Sequence, residues 1–341
     1  MASINTDLIG NTRFVGSPIT VYVTAGSPAN ATFHRVRLTV TVPSGSSGTP
    51  FEFSTPVTSG QTVQFDISSA FRAFADSHHY EADALNRYVN LSASLAAYDD
   101  YLVDGEEHTG TGEAKATVSG LYAGALSDWE RLTGTLPARY SRKPTTSPEI
   151  CFVGYQHLAP VALVSGISIN APAVSTVTVA AGATVPAGSP AGSKGIYGIP
   201  APADGYELRF INSLGVHENV FVTGLPAEEV TMQTERYVIS RQETLTEFSR
   251  GLVVKQNDHL RLKLSTGPLD RQWQHWYIHE LLMARWAWIA MPNPARTDGL
   301  PLYVPCHLLP DDTIPSRDRQ KAAPLTVQFT AELDINGSPL L

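Results

Sequence analysis

His275 and His279 are the residues whose types and spacing best suit metal chemistry. Four residues apart on a helix they would share one face, a spacing that metal sites use. A zinc-protease helix carries its general base inside the pair, as H-E-x-x-H. Here the run is H-W-Y-I-H-E, so Glu280 falls outside the pair and that geometry is not expected. The neighbours Trp273, Trp276 and Tyr277 indicate a packing surface instead. Cys306-His307 and His78-His79 are too isolated to complete a four-ligand site, and Cys306 has no local partner for nucleophilic work. Gly188 to Gly195 (GSPAGSKG) looks like a phosphate loop but fails it: Ser193 stands where glycine is needed and Gly195 where serine or threonine is needed. Nor does it hold the G-x-S-x-G of a nucleophile elbow.

Asp99, Asp100, Asp104, Glu106 and Glu107 cluster around Gly105. Carboxylates on a turn can hold Ca²⁺, but the spacing does not match a calcium loop, and a solvated hairpin is the expected reading. No catalytic residue, metal or cofactor is therefore expected, and the chain reads as non-enzymatic. Ser316 to Lys321 (SRDRQK) reads as a wet loop or as the polar rim of a subunit contact. Arg317, Arg319 and Lys321 are accordingly candidate interface residues. Trp273 and Trp286 join them from the dense block Trp273, Trp276, Tyr277, Trp286 and Trp288, whose plainer reading is core packing.

The elements that must position these residues are mostly strands. Phe33 to Val42 alternates, with Val36, Leu38, Val40 and Val42 on one face and Arg35, Arg37, Thr39 and Thr41 on the other. Ile19 to Thr24 and Tyr88 to Tyr98 alternate likewise. Glu113 to Leu121 is expected to return against Tyr88 to Tyr98, across Asp104-Gly105 or across Gly110 to Gly112. Phe51 to Ser54 and Thr62 to Asp66 suggest a hairpin, followed by a short helix over Ser69 to Ala75 capped by Asp66 or Ser68. Later, Tyr206 to Asn212 and Val216 to Thr223 form a hairpin around Ser213-Leu214-Gly215. Leu252 to Gln256 and His259 to Ser265 form another around Asn257-Asp258. One helix is expected at about 269–284, then strands at Trp286 to Met291, Leu302 to Leu309 and Leu325 to Leu333. The expected fold is mainly β, with two β-sandwich-like domains: 1–133, a linker over 134–148 holding three prolines, and 149–341. Between Ile150 and Ser193 there is no charged residue, and 180–205 is rich in Ala, Gly and Pro. Such a stretch can be a flexible loop or an extended arm lying against a neighbour, and the missing charge favours the arm.

The bulk composition excludes several classes. The 341 residues are 16% charged with a formal net charge of −8. No Lys/Arg cluster is present, so nucleic-acid binding is not expected. No run approaches the roughly 20 apolar residues of a membrane helix, and Met1 to Gly16 shows no secretory pattern. Cys151 and Cys306 read as buried free thiols in a protein made in a cytoplasm.

Three stretches look familiar as a set: RFINSLGVHENVFVTG (209–224), ERYVISRQ (235–242) and DTIPSRDRQKAAPLTVQFTAEL (312–333). With FVGSPITVYV and VQFDISSAFRAF near the start, they resemble uncharacterised proteins of tailed phages and prophages of Bacteroidales-type bacteria. The resemblance implies a virion structural role in tail, baseplate or neck. The expected partners are copies of the chain itself, in a symmetric ring-type homo-oligomer, and other virion proteins. The resemblance implies a location in the virion after synthesis in the host cytoplasm. A receptor- or glycan-binding module using exposed aromatics, and a β-fold glycan hydrolase, are the alternatives.

Overall fold

The computed structural model describes residues 2–5, 14–44, 48–77, 82, 85, 90–110, 114–144, 149–165, 168–185, 195–239, 250–292, 301–310 and 326–333. The chain is mainly β, as its alternating segments require, and forms two compact units. The first comprises Met1–Arg142, Pro160–Ser175 and Asn212–Val216. The second comprises Lys143–Ala159, Thr176–Ile211 and His217–Leu341. The chain therefore passes between the units several times, where the sequence suggested two contiguous domains. Within the stretch expected as a linker, Tyr140 is fully buried in the first unit. Its hydroxyl donates to the Asn170 carbonyl, and its ring meets Phe14 edge-on at 6.1 Å.

The first unit is a sandwich. One sheet joins β1 (Ser3–Asn5), β2 (Thr20–Thr24) and β5 (Thr62–Asp66). The other joins β3 (Phe33–Val42), β4 (Thr49–Pro56), β6 (Asn90–Val103), β7 (Glu106–Thr109) and β8 (Ala114–Tyr122), with β8 against β6. Val36, Leu38, Val40 and Val42 are all fully buried, and they share one core with Val21, Val23, Phe65 and Leu95 from both sheets. The hairpin expected from β4 and β5 does not form. β4 pairs with β3 and β5 with β2, so the two runs lie in opposite sheets. Phe53 and Phe65 then face each other across the core at 6.5 Å; a shared hairpin would have put both on one sheet. The acidic turn is read correctly as a hairpin: β6 pairs with β7 across Asp104-Gly105, and β8 returns further along β6. Helix α1 (Ser68–Ser77) follows β5, and the Asp66 carboxylate accepts from the backbone N–H groups of Ser68 (3.0 Å) and Ile19 (3.1 Å). A second short helix, α2 (Asp128–Thr133), closes the segment.

Next come β9 (Glu149–Phe152), β10 (Gln156–Pro160), the small hairpin β11 (Val164–Ser165) with β12 (Ser168–Ile169), and β13 (Val174–Thr178). β14 (Thr184–Val185) and β15 (Ile196–Ile199) build a three-stranded sheet with β9, in the order β14-β15-β9. This corrects the extended arm expected at 180–205: over its described residues it is folded into a sheet of its own unit. Val179 and Ile196 are buried with Cys151, Ala159 and Val177, because uncharged apolar residues find cover locally. Residues 186–194, with Ser193, lie outside the described residues.

The second unit centres on a closed antiparallel barrel. Its strands are β16 (Gly205–Ile211), β17 (His217–Ile239), β18 (Arg250–Ser265), β19 (Ala287–Met291), β20 (Leu302–Pro310) and β21 (Gln328–Leu333). The order around the barrel is β16-β17-β18-β21-β20-β19, and β19 returns to β16 through Leu208↔Ile289 and Phe210↔Ala287. A sandwich was expected here. The sheet closes instead, which leaves no open edge over the barrel portion of its strands. The hairpin expected around Asn257-Asp258 is also corrected. β18 runs straight through, with Asn257 opposite Gln233 and Asp258 opposite Met232, because β17 is long enough to partner it throughout.

The helix expected at about 269–284 is shorter. It comprises α3 (Arg271–Trp276), capped by Asp270, and a π-helical turn over Tyr277–Leu281 closed by the Leu282 N–H donating to the Tyr277 carbonyl at 3.0 Å. Trp276, Tyr277 and Leu281 complete the barrel core with Phe210, Leu264 and Phe329.

Candidate functional site

Two features of the second unit are not explained by its own stability. The first is a ribbon. β17 pairs with β16 only over His217–Thr223, and β18 with β21 only over Leu260–Ser265. Beyond both limits β17 and β18 pair with each other, from Thr231↔His259 out to Ile239↔Arg250. Among the described residues no further strand flanks this two-stranded part. At about 3.3 Å per residue, the nine pairs from Thr231 to Ile239 span roughly 30 Å.

The second feature is a cleft of about 310 Å³. Ile150 and Phe152 of β9, Phe221 of β17, Trp273 of α3 and Leu269 just before that helix supply its apolar walls. Phe152 and Phe221 lie 5.0 Å apart, and Trp273 packs edge-on to Trp276 at 5.6 Å. Ile150 is 54% exposed at the rim. Polar groups line the rest. Lys143 Nζ donates to Glu149 Oε2 (2.8 Å) and to the Asn219 carbonyl (3.0 Å), and sits 5.4 Å from the Trp276 ring. Glu149 Oε2 also lies 3.2 Å from His157 Nε2. The Asp270 carboxylate is exposed at the mouth and accepts from the Trp273 N–H at 2.9 Å.

Deeper in this unit, Glu207 is fully buried. Arg209 Nε (2.9 Å), Asn219 Nδ2 (2.8 Å) and the Tyr303 hydroxyl (3.0 Å) all donate to it, and the Arg209 guanidinium lies 3.9 Å from the Tyr303 ring centre. Asn219 Nδ2 also donates to the Gln156 carbonyl at 2.6 Å, and the network reads as a brace that fixes strand register. Burial, reinforced by the Glu207 charge, pushes the nearby Cys151 thiol up to about 12; burial alone raises Cys306 to about 12. Both are free and buried, as expected, and neither is activated as a nucleophile.

The structure sorts the sequence candidates as follows. Trp273 forms a wall of the cleft. Trp286 is half-buried beside Arg285, whose guanidinium stands 5.8 Å from its ring. Arg317, Arg319 and Lys321 lie outside the described residues, as do His78 and His79. The His275 and His279 rings are 4.1 Å apart on the exposed face of the helix, while the adjacent Glu280 is buried. The three therefore do not converge. Desolvation, then repulsion from His279 and Arg271, holds His275 below its usual range. Among the described residues no group of three or more His, Cys, Asp or Glu is placed to hold a metal ion.

The acidic cluster divides. Asp104, Glu106 and Glu107 are exposed, but Asp99 and Asp100 are buried and engaged. Asp99 accepts from the Gly26 N–H (3.0 Å) and from His34 Nε2 (2.9 Å). Asp100 accepts from Arg37 Nε (2.9 Å) and Thr109 Oγ1 (2.9 Å).

Sequence reasoning missed Lys143, Ile150 and Glu149 as cleft residues. Lys143 sat inside the expected linker, and Glu149-Ile150 stood at the start of the charge-free run. A charge placed immediately before a long uncharged segment was the available signal.

No family model matches the chain, and no curated protein sequence matches it. Among solved structures, a chain in the cryo-EM structure of the anti-feeding prophage baseplate, six-fold symmetrised, aligns with 13% identity and a TM-score of 0.20. The alignment covers 39% of this chain and 90% of that one.

Proposed function

We propose that this chain is a non-enzymatic structural component of a tailed-phage virion, in tail, baseplate or neck. In this reading it assembles in a symmetric ring with copies of itself and with other virion proteins. The observation that carries this is the β17/β18 ribbon. A two-stranded ribbon is marginally stable on its own in water. Both of its edges present backbone N–H and C=O groups, a template for adding strands from another chain. A barrel that closes its own edges and then extends two of its strands beyond them suits a protein whose work is joining neighbours. The phage-protein resemblance of 209–224, 235–242 and 312–333 supports the virion assignment.

The test uses paired prolines, Thr231→Pro with Met232→Pro. Consecutive strand residues turn their N–H groups to opposite edges, so the pair blocks the ladder with β18 and the outer edge together. The expected result is that sedimentation shows multimers for the native chain and a single copy for the variant. The near-ultraviolet circular dichroism of the barrel tryptophans should stay unchanged. Strictly monomeric native protein that never enters particles with the other virion proteins would defeat the proposal.

A further inference from the structure

The segment that packs Trp276, Tyr277 and Leu281 into the barrel core carries a different chemistry outward. His275 belongs to α3 and His279 to the π-helical turn, and both are exposed. Their rings stand 4.1 Å apart, tilted by 41°. Among the described residues neither ring makes a hydrogen bond, so its nitrogens are open to another partner. Folding gives no account of the pair. Two basic groups four residues apart on a helix repel each other when charged, and the exposed Arg271 adds a third one turn earlier on the same stripe. The backbone under His279 is the π-turn closed by Leu282 on the Tyr277 carbonyl. Single π-turns within helices occur frequently at functional sites.

The sequence expectation of no metal rests on missing third and fourth protein ligands, and Glu280, being buried, supplies neither. A two-imidazole chelate needs neither, since water can complete the coordination. Metal–nitrogen bonds of about 2.0–2.1 Å put two nitrogens on one ion no more than about 4 Å apart. Ring centres at 4.1 Å already meet that spacing. The terminal torsion of histidine is broad, so small rotations aim one nitrogen of each ring at a shared point. Imidazole suits Cu²⁺, Ni²⁺ and Zn²⁺, whereas Mg²⁺ and Ca²⁺ take oxygen ligands. Among the first group Cu²⁺ binds a nitrogen site most tightly. Arg271 opposes any cation here, but salt screens repulsion between exposed charges.

We infer that His275 and His279 together chelate one divalent transition-metal ion, with water in its remaining positions. The ion ties α3 to the π-turn, because each element supplies one ligand. Joining two weak ligands in one chelate strengthens binding by about a hundredfold or more over either alone. A lone copy of the chain holds the ion, so the inference is independent of the assembly reading and of the ribbon.

The experiment titrates the full chain with Cu²⁺, Zn²⁺ and Mg²⁺ as chlorides by calorimetry. Electron paramagnetic resonance of the Cu²⁺ form then counts the coordinated nitrogens. The expected result is one Cu²⁺ held by two nitrogens, weaker binding of Zn²⁺, and none of Mg²⁺. Bound Cu²⁺ should raise the melting temperature of the native chain, since a ligand of the folded state stabilises it. His275→Ala and His279→Ala should each weaken Cu²⁺ binding by about a hundredfold. Both positions are exposed, so the metal-free melting temperature should not change. A further variant, His275→Ala with Gln272→His, keeps two exposed histidines but sets them two helical turns apart, and it should bind as weakly as the single losses. Three outcomes overturn the inference. Unchanged affinity after both histidines are replaced would place the ion elsewhere. Full affinity in the Gln272→His variant would remove the chelate. A spectrum with a single coordinated nitrogen would do the same.

Discussion

The sandwich packs Val36, Leu38, Val40 and Val42 between two separate sheets, whereas the barrel packs Leu208, Phe210, Val220 and Val222 inside one sheet closed on itself. Both begin from strands of period two. The difference lies in the edges and in the charges. In the sandwich, Arg37 is 26% exposed where it meets Asp100. The barrel buries its pair: Arg209 and Glu207 side chains are 6% and 1% exposed. Closing the sheet removes edges over the barrel's height, and β17 and β18 then regenerate two edges outside it. Cohesion and outward reach are thus assigned to different parts of the same two strands.

The largest effects should come from the buried ring and the buried pair. Phe210→Ala is expected to destabilise the barrel by about 3–5 kcal/mol in urea unfolding, through lost burial and a cavity. Arg209→Ala should cost about 3–5 kcal/mol, because it leaves the Glu207 carboxylate buried without its cation. Arg37→Ala in the sandwich should cost about 1 kcal/mol or less, since that pair is partly solvated. Equal losses for the two arginines would erase the contrast between the units.

The units should also fail at opposite ends of the pH scale. In the sandwich, burial works against the Asp100 carboxylate, but Arg37, Thr109 and Arg35 outweigh it and hold it below the usual range. The N–H groups of Ser68 and Ile19 similarly outweigh burial at Asp66. A carboxyl depressed in the folded state stabilises above its unfolded value, about 4, and that stability is lost as pH falls through the folded value. In the barrel unit, Cys151 and Cys306 are raised to about 12. A thiol raised in the folded state stabilises below its unfolded value, about 8.5, and that stability is lost as pH rises towards 12. Tryptophan fluorescence against pH should show the barrel outlasting the sandwich in acid, with Asp100→Asn abolishing the difference that Asp100 makes. Thiol alkylation should remain slow until alkali loosens the barrel.

The smallest effects belong to the helix caps. Ser127→Ala on α2 and Asp270→Ala on α3 should each cost about 1 kcal/mol. Thermal melting followed by circular dichroism should register a loss of that size for each variant.

Much of the local structure was legible in residue order. The alternation of 33–42 determined both the strand and its buried face, since a period of two leaves one choice of side once one face is apolar. The turn at Ser213-Leu214-Gly215 was legible as well: Asn212 Oδ1 accepts from the N–H groups of Leu214 (3.1 Å) and Val216 (3.0 Å), and Gly215 adopts φ 79°. A local hydrogen-bonding side chain and a residue without Cβ suffice for such a turn. The mainly β class and the two buried thiols followed from composition.

Partnering did not follow. β4 and β5 look like a hairpin because they are consecutive, but which sheet each joins depends on β2 and β3, far away in sequence. Barrel closure rests on β19 meeting β16, and the length of β18 on β17 being long enough to hold Asn257-Asp258 in a strand. The cleft is assembled from Lys143, 149–152, Ile199, 219–223 and 266–277, stretches with no common pattern. Spacing along the chain encodes which face a residue takes. What lies opposite that face is a long-range pairing, and only the folded structure decided that Trp129 would stand exposed while Trp273 lined a hole.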